Sequence, residues 1–299
     1  MTTAQDRQRQ RVARYYRWLD RLAFLRELRG QSGSEAQPVH RQLKDPAGGP
    51  PSAMLVHRLM IEGLALPESP RVLDAGCGYG ATALDLIPVI GGQWLGVTLS
   101  EVQARRGQAE AERRGLTGQL SFALQSYDDP LPGGFDLAIG IESLIHSADP
   151  ARTIGNLAAA LRPGGWLVMV DDMPEPDLPA ASAAQLALFK RMWRCPVAPT
   201  RDGWVAAMQA AGLALQREVD LTPLTLPRSA EALAAPLARQ QRRAWWLGWL
   251  GLSVREEADI GGMTLENLLR EGAVRYRLLV AQKPEVPAPL GAVAATAEG

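Results

Sequence analysis

The sequence predicts an α/β fold in which a seven-stranded, mostly parallel sheet carries helices on both faces. Three observations support this prediction. Seven short apolar runs have the length and composition of strands, and segments with helical spacing of apolar residues separate most of them. A glycine-rich turn directly follows the first of these runs. The chain has 299 residues, of which 46% are hydrophobic, so it can bury the core of one such domain.

The segment 71–80 organises the predicted fold. It begins as a buried strand and ends in a turn that contains three glycines, Gly76, Gly78 and Gly80. Glycines permit unusual backbone angles and let a ligand approach the main chain. A helix is expected over 81–87, and Pro88 is expected to end it. This order of strand, glycine turn and helix is typical of the nucleotide-binding start of a Rossmann-like sheet.

The remaining elements follow in chain order. Further strands are expected at 93–97, 120–124, 135–141, 166–170, 213–221 and 274–282. Helices are expected at 4–29, 52–66, 101–115, 150–161, 183–193 and 201–211. We therefore divide the chain into a helical N-terminal lid (1–51), a core (52–222), a helical insertion forming a second lid (223–272), the last strand (273–283) and a disordered tail (284–299).

Composition excludes several classes of protein. The 32 basic and 32 acidic residues cancel, so no global positive field favours nucleic acid. Two cysteines, Cys77 and Cys195, give no disulfide framework and suit a reducing cytoplasm. No apolar run reaches the ~20 residues of a membrane span, and no secretory signal is recognised. We expect a cytoplasmic protein without nucleic-acid partners, and the oligomeric state stays open, a homo-oligomer included.

Two segments rich in arginine or tryptophan have structural explanations that we prefer. Many arginines surround the apolar stripe of 4–29, which indicates a solvated helix face. The alternative is that Arg14 or Arg17, beside Tyr15 and Tyr16, holds an anionic acceptor. A later segment contains three closely spaced tryptophans, Trp245, Trp246 and Trp249. We expect them to pack in the core or in a lid, where they would line an apolar pocket.

The second predicted strand lacks the acidic residue that dinucleotide-binding folds use to hold ribose hydroxyls. Thr98 occupies that position. A hydroxyl can bind ribose, but it is a weaker acceptor than a carboxylate. Ser100 and Gln103 form a capping box that begins the next helix, and either capping alone or contact with a ligand explains them.

Four motifs lie between residues 71 and 172. They are Asp74 two residues before the first glycine, Gly96-Val97-Thr98-Leu99-Ser100-x-x-Gln103, Glu142-Ser143-x-x-His146, and Arg162-Pro163-Gly164-Gly165. Together they resemble the small-molecule branch of class I S-adenosylmethionine (SAM) methyltransferases. The second motif is similar to tocopherol, sterol, geranyl-diphosphate and cyclopropane-fatty-acid methyltransferases, which often lack the ribose acid. One departure is Ile145 before His146, where tocopherol and cyclopropane types commonly have glutamate.

The resemblance implies a Rossmann-like fold, SAM as cofactor and a small-molecule acceptor. It implies that SAM contacts a set of residues from the turn and the strand ends: Asp74, Gly76, Gly78, Gly80, Thr98, Leu99, Gln103, Ser126, Tyr127, Asp128 and Ile141. Relatives usually place an aspartate after the third strand to accept the adenine amino group. Ser126 occupies that position, and we favour nearby Asp128 as the contact because a charged group gives stronger recognition. The alternative is that Asp128 is a solvated turn residue.

Three candidate bases lie at the carboxyl ends of the fourth and fifth strands, where open α/β sheets bind ligands. They are Glu142, His146 and Asp171. In isoprenoid C-methylating relatives, a glutamate at the place of Glu142 is implicated in stabilising the cation and removing its proton. In O-methylating relatives, the histidine and aspartate positions are favoured, although a purely structural role explains His146 equally well.

We favour isoprenoid-type C-methylation of a small, largely apolar biosynthetic intermediate. O-methylation of a sugar or phenolic hydroxyl on a natural product is the alternative. The transfer requires no metal, and the sequence leaves open whether a divalent metal accompanies a diphosphate acceptor. An NAD-dependent oxidoreductase is disfavoured by the missing ribose acid and the Gly-x-Gly-x-Gly spacing. A SAM-binding module without catalysis is mildly disfavoured by Glu142 and His146.

Overall fold

The computed structural model describes residues 4–27, 40–249 and 252–285. Residues 30–39 of the predicted 30–51 loop and nearly all of the predicted tail lie outside the described residues. The strands are β1 (Arg71–Ala75), β2 (Gln93–Thr98), β3 (Leu120–Leu124), β4 (Phe135–Ile141), β5 (Leu161–Pro174), β6 (Ala214–Asp220) and β7 (Val274–Gln282). The helices are α1 (Ala4–Glu27), α2 (Met54–Ile61), α3 (Ala81–Ile90), α4 (Glu101–Arg113), α5 (Pro150–Ala160), α6 (Ala180–Trp193), α7 (Arg201–Ala210), α8 (Ala230–Gly248) and α9 (Val254–Arg270).

The seven strands form one sheet in the order β3-β2-β1-β4-β5-β7-β6. Strands β1 to β5 pair in parallel, and β7 lies antiparallel between β5 and β6. The predicted mostly parallel, seven-stranded sheet is therefore confirmed. The chain adds β2 and β3 on one side of β1 and then crosses to add β4 and β5 on the other side. The carboxyl ends of β1, β2 and β4 therefore border the crevice where such sheets bind ligands.

Two apolar clusters cover opposite faces of the sheet. One contains residues of α2, α3, α6 and α9, such as Met60 and Phe189. The other contains residues of α5 and α7, such as Ile154 and Trp204. Each strand in the middle of the sheet is buried on both sides, which explains the nearly continuous apolar run of β4.

Several predicted boundaries differ from the structure, among them those of α3, α2 and β5. Pro88 lies inside α3, which continues to Ile90 and ends at two glycines with positive φ, Gly91 and Gly92. Helix α2 covers Met54–Ile61 and not 52–66. Strand β5 covers Leu161–Pro174, because its antiparallel pairing with β7 continues from Trp166 to Pro174. The prediction of 166–170 missed this extension, since the partner strand lies about a hundred residues later.

The helices outside the sheet cover its carboxyl edge. Helix α1 packs against α4 and α9, and α9 packs against α6. The arginines Arg14 and Arg17 of α1 are exposed, in agreement with a solvated face. Helix α8 packs on α9 and buries Leu233.

The prediction for the tryptophans of α8 is wrong. Trp245, Trp246 and Trp249 are 61%, 70% and 83% exposed, so they pack neither in the core nor under a lid. The close spacing of tryptophans in the sequence cannot distinguish a buried aromatic cluster from an exposed one, because burial depends on which face of α8 is covered by α9.

Candidate active site

A first cavity of about 280 Å³ lies at the carboxyl ends of β1, β2 and β4, and α1 forms part of its wall. It brings together most of the residues predicted to bind a ligand: Asp74, Gly76, Gly78, Thr98, Leu99, Gln103, Tyr127 and Ile141. Glu142 and His146 line it as well. Gly80, Ser126, Asp128 and Asp171 do not line it. The cavity also contains side chains that the sequence did not single out for this role: Val12, Tyr15, Tyr16, Leu19, Gln125 and Ser143.

The glycine turn after β1 needs glycine for two different reasons. Gly76 has φ of 83°, and a Cβ atom on it would lie 2.5 Å from the Cβ of Ser143. Gly80 has φ of 81°, and a Cβ atom there would lie 2.6 Å from the ring of Phe122. Gly80 therefore permits the start of α3 to pack against β3, while Gly76 and Gly78 form the cavity wall.

Asp74 carries a buried carboxylate without a full set of partners. The residue is 3% exposed, and its Oδ2 has no hydrogen-bond partner among the described residues. Burial raises the pKa of Asp74 to about 7, because a charged group in this environment has lost its hydration. A cationic ligand in the first cavity would stabilise the ionised form.

The junction of β2 and α4 forms a hydrogen-bonded network in the cavity wall. Thr98 Oγ1 donates to Gln103 Oε1 at 3.0 Å and accepts from the main-chain N of Ser100 at 3.2 Å. Ser100 Oγ accepts from the main-chain N of Gln103 at 3.2 Å, so the predicted cap of α4 is present. The polar side chains are thus held in place before any ligand binds.

A carboxylate from α1 reaches this same junction. Asp20 is 2% exposed, and its Oδ1 accepts from the hydroxyl of Tyr79 at 2.8 Å. Its Oδ2 accepts from Ser100 Oγ at 2.5 Å, and Gln103 Nε2 donates to Oδ1 at 3.5 Å. The carboxylate of Asp20 therefore lies near the end of β2, where Thr98 replaces the usual acidic residue, and it is supplied by α1. Asp20 joins α1 to both the glycine turn and the β2–α4 junction.

Asp128 and Ser126 serve the loop after β3. Asp128 Oδ1 accepts from Ser147 Oγ at 3.2 Å and from Thr153 Oγ1. Ser126 Oγ accepts from the main-chain N of Asp128 at 3.1 Å. These bonds fix the loop against the start of α5, so the adenine contact at Asp128 stays a prediction without support from the geometry.

The neighbouring residues of this loop do face the first cavity. Tyr127 and Gln125 line it, and the Tyr127 hydroxyl donates to the main-chain oxygen of Ser143 at 2.7 Å. Burial raises the pKa of Tyr127 well above its usual value, so this hydroxyl stays protonated and acts as a donor.

Glu142 directly follows β4 and is held by a cation. Its φ is 47°, in the left-handed region that residues other than glycine rarely adopt. Its Oε1 accepts from the main-chain N and from Nε of Arg41, at 3.1 and 3.2 Å. Arg41 Nη2 donates to Asp172 Oδ2 at 2.7 Å, and its guanidinium lies over the ring of Tyr276. One arginine thus pairs with two carboxylates, of which Asp172 is buried and Glu142 is partly buried.

A second cavity of about 400 Å³ lies on the other side of Glu142. Its wall comes from the loop 225–227, from α9 and from Arg41, and it includes the apolar side chains Leu226, Pro227, Leu265 and Leu269. Glu142 and Trp193 line both cavities. Glu142 is therefore positioned where molecules in the two cavities would meet.

His146 is a neutral imidazole in the wall of the first cavity. The Tyr16 hydroxyl lies 2.9 Å from its Nε2, and Cys195 Sγ lies 3.6 Å from its Nδ1. Burial lowers the pKa of His146 to about 4, against a smaller opposing effect of the main chain at Arg194 and Trp193. A neutral imidazole has one donor and one acceptor nitrogen, and both ring nitrogens of His146 have a polar partner here.

Asp171 anchors the main chain and lines neither cavity. It is 1% exposed; its Oδ2 accepts from the main-chain N of Ile145 at 3.0 Å, and its Oδ1 from that of Asp172 at 3.0 Å. Burial raises the pKa of Asp171 well above its usual value. A role as base stays a prediction, and the contacts support a role in shaping the segment that carries His146.

Comparison with known families agrees with this geometry. The family model of the methyltransferase domain matches residues 7–218. The chain belongs to this family. It is a SAM-dependent methyltransferase, as the sequence motifs predicted.

Curated relatives of the methyltransferase include several O-methyltransferases. A probable chloroplastic tocopherol O-methyltransferase of Oryza sativa subsp. japonica is 27% identical over 76% of this chain and 67% of its own length. The O-methyltransferase rstn1 of Aspergillus nomiae is 30% identical over 54% of this chain and 71% of its own.

Solved structures with the same fold have more varied activities. Geranyl diphosphate C-methyltransferase from Streptomyces coelicolor, in complex with Mg²⁺, geranyl diphosphate and S-adenosylhomocysteine (SAH), has a TM-score of 0.65 at 19% identity, covering 92% of this chain and 98% of its own. The [4+2]-cyclase SpnF has a TM-score of 0.64 at 20% identity, covering 95% and 97%. At these identities the likeness shows the fold alone.

The first cavity fits SAM in charge and in polarity. SAM carries a positive sulfonium and an ammonium group, and the unpartnered oxygen of buried Asp74 suits a cation. Thr98, Gln103 and Tyr127 would complete the polar wall, with the main chain at Gly76 and Gly78. When bound, SAM supplies an electrophilic methyl group.

The described residues contain neither a cluster of metal ligands nor a helix that could span a membrane. Within the described ranges, no group of three or more His, Cys, Asp or Glu side chains is placed to hold a metal ion. No helix in the same part of the chain is long and apolar enough to cross a membrane.

Sequence reasoning missed Asp20, Tyr16 and Arg41 as site residues. A signal existed for Asp20, because this acid lies four residues after Tyr16 on the apolar stripe of the first helix, where a solvated charge would be unfavourable. Arg41 carried no such signal, since a single arginine in a loop between glycine- and proline-rich stretches is ordinary.

Proposed function

We propose that this methyltransferase transfers a methyl group to a carbon atom of a small, largely apolar acceptor of the isoprenoid type. The observation that carries the proposal is the position of Glu142 in the walls of both cavities. SAM would occupy the first cavity and the acceptor the second, so the methyl group would move past this carboxylate. The apolar wall of the second cavity suits a hydrocarbon acceptor.

In this proposal Glu142 acts after the methyl group has reached an alkene carbon. The π electrons form the new bond, the sulfur keeps the electron pair of the broken bond, and the acceptor is left as a carbocation. The carboxylate opposes this positive charge. Loss of a proton from the carbon beside the cation then restores a double bond, and Glu142 Oε2 accepts that proton, since Oε1 is bound by Arg41.

The proposed lids contribute residues to both cavities. Tyr15, Tyr16 and Leu19 of α1 line the first cavity, while loop 225–227 and α9 line the second. We propose that residues 1–51 and 223–272 exclude water from the reacting groups, because exclusion of water fixes orientation and prevents hydrolysis of a cationic intermediate. We place the enzyme in the cytoplasm, as the two unpaired, buried cysteines suggest.

One observation favours O-methylation as the second candidate. Tyr16 and His146 form a hydroxyl–imidazole pair in the wall of the first cavity, and this pair has the form of a base for a hydroxyl acceptor. The curated relatives named as O-methyltransferases support the same alternative. The low pKa of His146 opposes it, because a buried neutral imidazole with a pKa of about 4 is a weak base at neutral pH.

Product analysis distinguishes the two candidates. The full chain is incubated with SAM carrying a ¹³C methyl group and with two acceptor sets, prenyl-type alkenes and phenolic or sugar hydroxyl compounds. C-methylation predicts a labelled methyl carbon bonded to carbon in the NMR spectrum of the product. A labelled methoxy carbon would instead support the O-methylation candidate and contradict the role given to Glu142.

A further inference from the structure

We propose that the exposed tryptophan–arginine face of α8 docks the enzyme onto an anionic membrane surface. This proposal concerns a surface outside both cavities and does not depend on the acceptor. It rests on three exposed tryptophans, on arginines beside them and on the length of the exposed helix.

The tryptophans form one continuous aromatic patch. Trp245 and Trp246 have ring centroids 4.9 Å apart, and Trp245 and Trp249 have centroids 6.4 Å apart. The nearby Leu252 is 47% exposed and continues the apolar surface towards α9. Exposed tryptophans are normally scarce, so three in five residues indicate a surface that another phase or molecule covers.

Arginines share the face with these rings. Arg242 precedes Trp245 and Trp246 by three and four residues, which places it next to both on the helix surface. Arg239 lies one turn earlier, and Arg255 lies at the start of α9. All three arginines are exposed, and the ion pairs found among the described residues do not include them.

The acidic side chains at this end of the two helices are already engaged. Glu256 is 3% exposed and pairs with Arg243 at 3.2 Å, and Glu257 pairs with Arg194. The exposed charge beside the tryptophans is therefore positive, which complements phosphate headgroups. Indole rings favour the interfacial region of a bilayer, where the ring is in an apolar zone and the N–H meets water or headgroups.

The shape of α8 suits a bilayer better than a compact protein pocket. The helix has 19 residues and buries one of them, Leu233, so the face turned away from α9 is open to solvent. A helix with tryptophan and arginine on one exposed face lies in the membrane interface, held by apolar burial and by attraction to anionic lipid. If this face of α8 does not bind lipid, a protein partner is the alternative occupant.

Vesicle sedimentation with the full chain tests the proposal. Vesicles of phosphatidylcholine alone are compared with vesicles of equal parts phosphatidylcholine and phosphatidylglycerol. We expect binding to the anionic vesicles that weakens at high salt, and a shift of tryptophan emission to shorter wavelength on binding. The proposal would be overturned if the protein did not bind anionic vesicles, or if it bound both kinds of vesicle equally well.

Matched variants identify the face that binds. The combined Trp245→Ser, Trp246→Ser and Trp249→Ser variant should lose about tenfold or more in vesicle affinity, because the apolar burial is gone. Arg239→Gln with Arg242→Gln should lose roughly fivefold per arginine. The control changes two exposed apolar residues elsewhere, Val89→Ser and Leu124→Ser, and should bind vesicles like the wild type. SAH affinity confirms that each variant is folded. Wild-type vesicle affinity in the tryptophan variant would overturn the proposal.

Discussion

The two cavities are assembled in different ways. The walls of the first cavity come mainly from short segments at successive strand ends, 74–82, 97–103 and 141–146, each with a recognisable motif. The wall of the second cavity joins residues from distant parts of the chain, among them Arg41, Trp193 and Leu269. The first cavity, where we propose that the cofactor binds, is therefore encoded by local spacing, whereas the second cavity, the proposed acceptor site, is encoded by the packing of distant segments.

The largest expected effect is the loss of stability when Arg41, which pairs with Glu142 and Asp172, is replaced. Arg41→Gln leaves buried Asp172 and partly buried Glu142 without their cation, and breaking a buried pair such as Arg41–Asp172 costs about 3–5 kcal/mol of stability. Thermal unfolding should show a much lower Tm for Arg41→Gln. Arg201→Gln breaks a more exposed pair with Glu218 and should change the Tm little. If both variants lowered the Tm equally, the ion pairs of Arg41 would contribute no more to stability than the more exposed pair of Arg201.

The next effect concerns the first cavity. Gly76→Ala introduces both a side chain at φ of 83° and a clash with Ser143, and it should weaken SAH binding by roughly a hundredfold. Gly115→Ala has similar backbone strain, at φ of 72°, with no atom near the new Cβ. Calorimetric titration should give near wild-type SAH affinity for Gly115→Ala. Near wild-type SAH affinity in Gly76→Ala would contradict the claim that the close approach of Gly76 to Ser143 shapes the first cavity.

Replacement of Asp20 tests whether α1 contributes to cofactor binding. Asp20→Asn removes the charge that accepts from Tyr79 and Ser100, and hydrogen bonds to charged groups contribute about 1.5–3 kcal/mol. We expect SAH affinity to fall about tenfold or more. Arg17→Gln, on the exposed face of the same helix, is the control and should leave SAH affinity unchanged. Unchanged affinity in Asp20→Asn would show that the contacts of Asp20 with Tyr79 and Ser100 do not contribute to cofactor binding.

The smallest effect is the dependence of SAM binding on pH. The free enzyme holds Asp74 with a pKa of about 7, so this carboxyl is largely protonated at pH 6 and ionised at pH 8. Cationic SAM favours the ionised form, and its affinity should therefore rise about tenfold between these pH values. Titrations across this range should show the rise for the wild type and a flat profile for Asp74→Asn. A wild-type affinity that is independent of pH would contradict the raised pKa.

The contrast between the cavities explains how far the sequence could be interpreted. All seven strands were predicted, because apolar strand segments and the glycine turn after β1 leave patterns within a few residues. Eight of the predicted cofactor residues line the first cavity for the same reason. The roles of Asp128 and Asp171 could not be inferred from position, since each carboxylate is used by a neighbouring loop. Asp20 and Arg41 were missed because their partners lie 80 and 101 residues away.

The exposure of the α8 tryptophans has the same origin. Their segment has the composition of a buried aromatic cluster, yet α9 covers the opposite face of the helix. Local sequence specifies a helix and its faces, and tertiary packing decides which face is buried.

The most direct test of the account is a single-turnover measurement on Glu142→Gln. The substitution keeps the shape of the side chain and removes the charge between the two cavities. With an alkene acceptor, we predict that methyl transfer slows by roughly 10²–10⁴, the usual contribution of a positioned acid or base, while SAH affinity stays at the wild-type value. Glu110→Gln, which removes a paired carboxylate on α4, controls for loss of charge and should transfer at the wild-type rate. A wild-type rate in Glu142→Gln would contradict the central claim that this carboxylate stabilises and deprotonates the methylated acceptor.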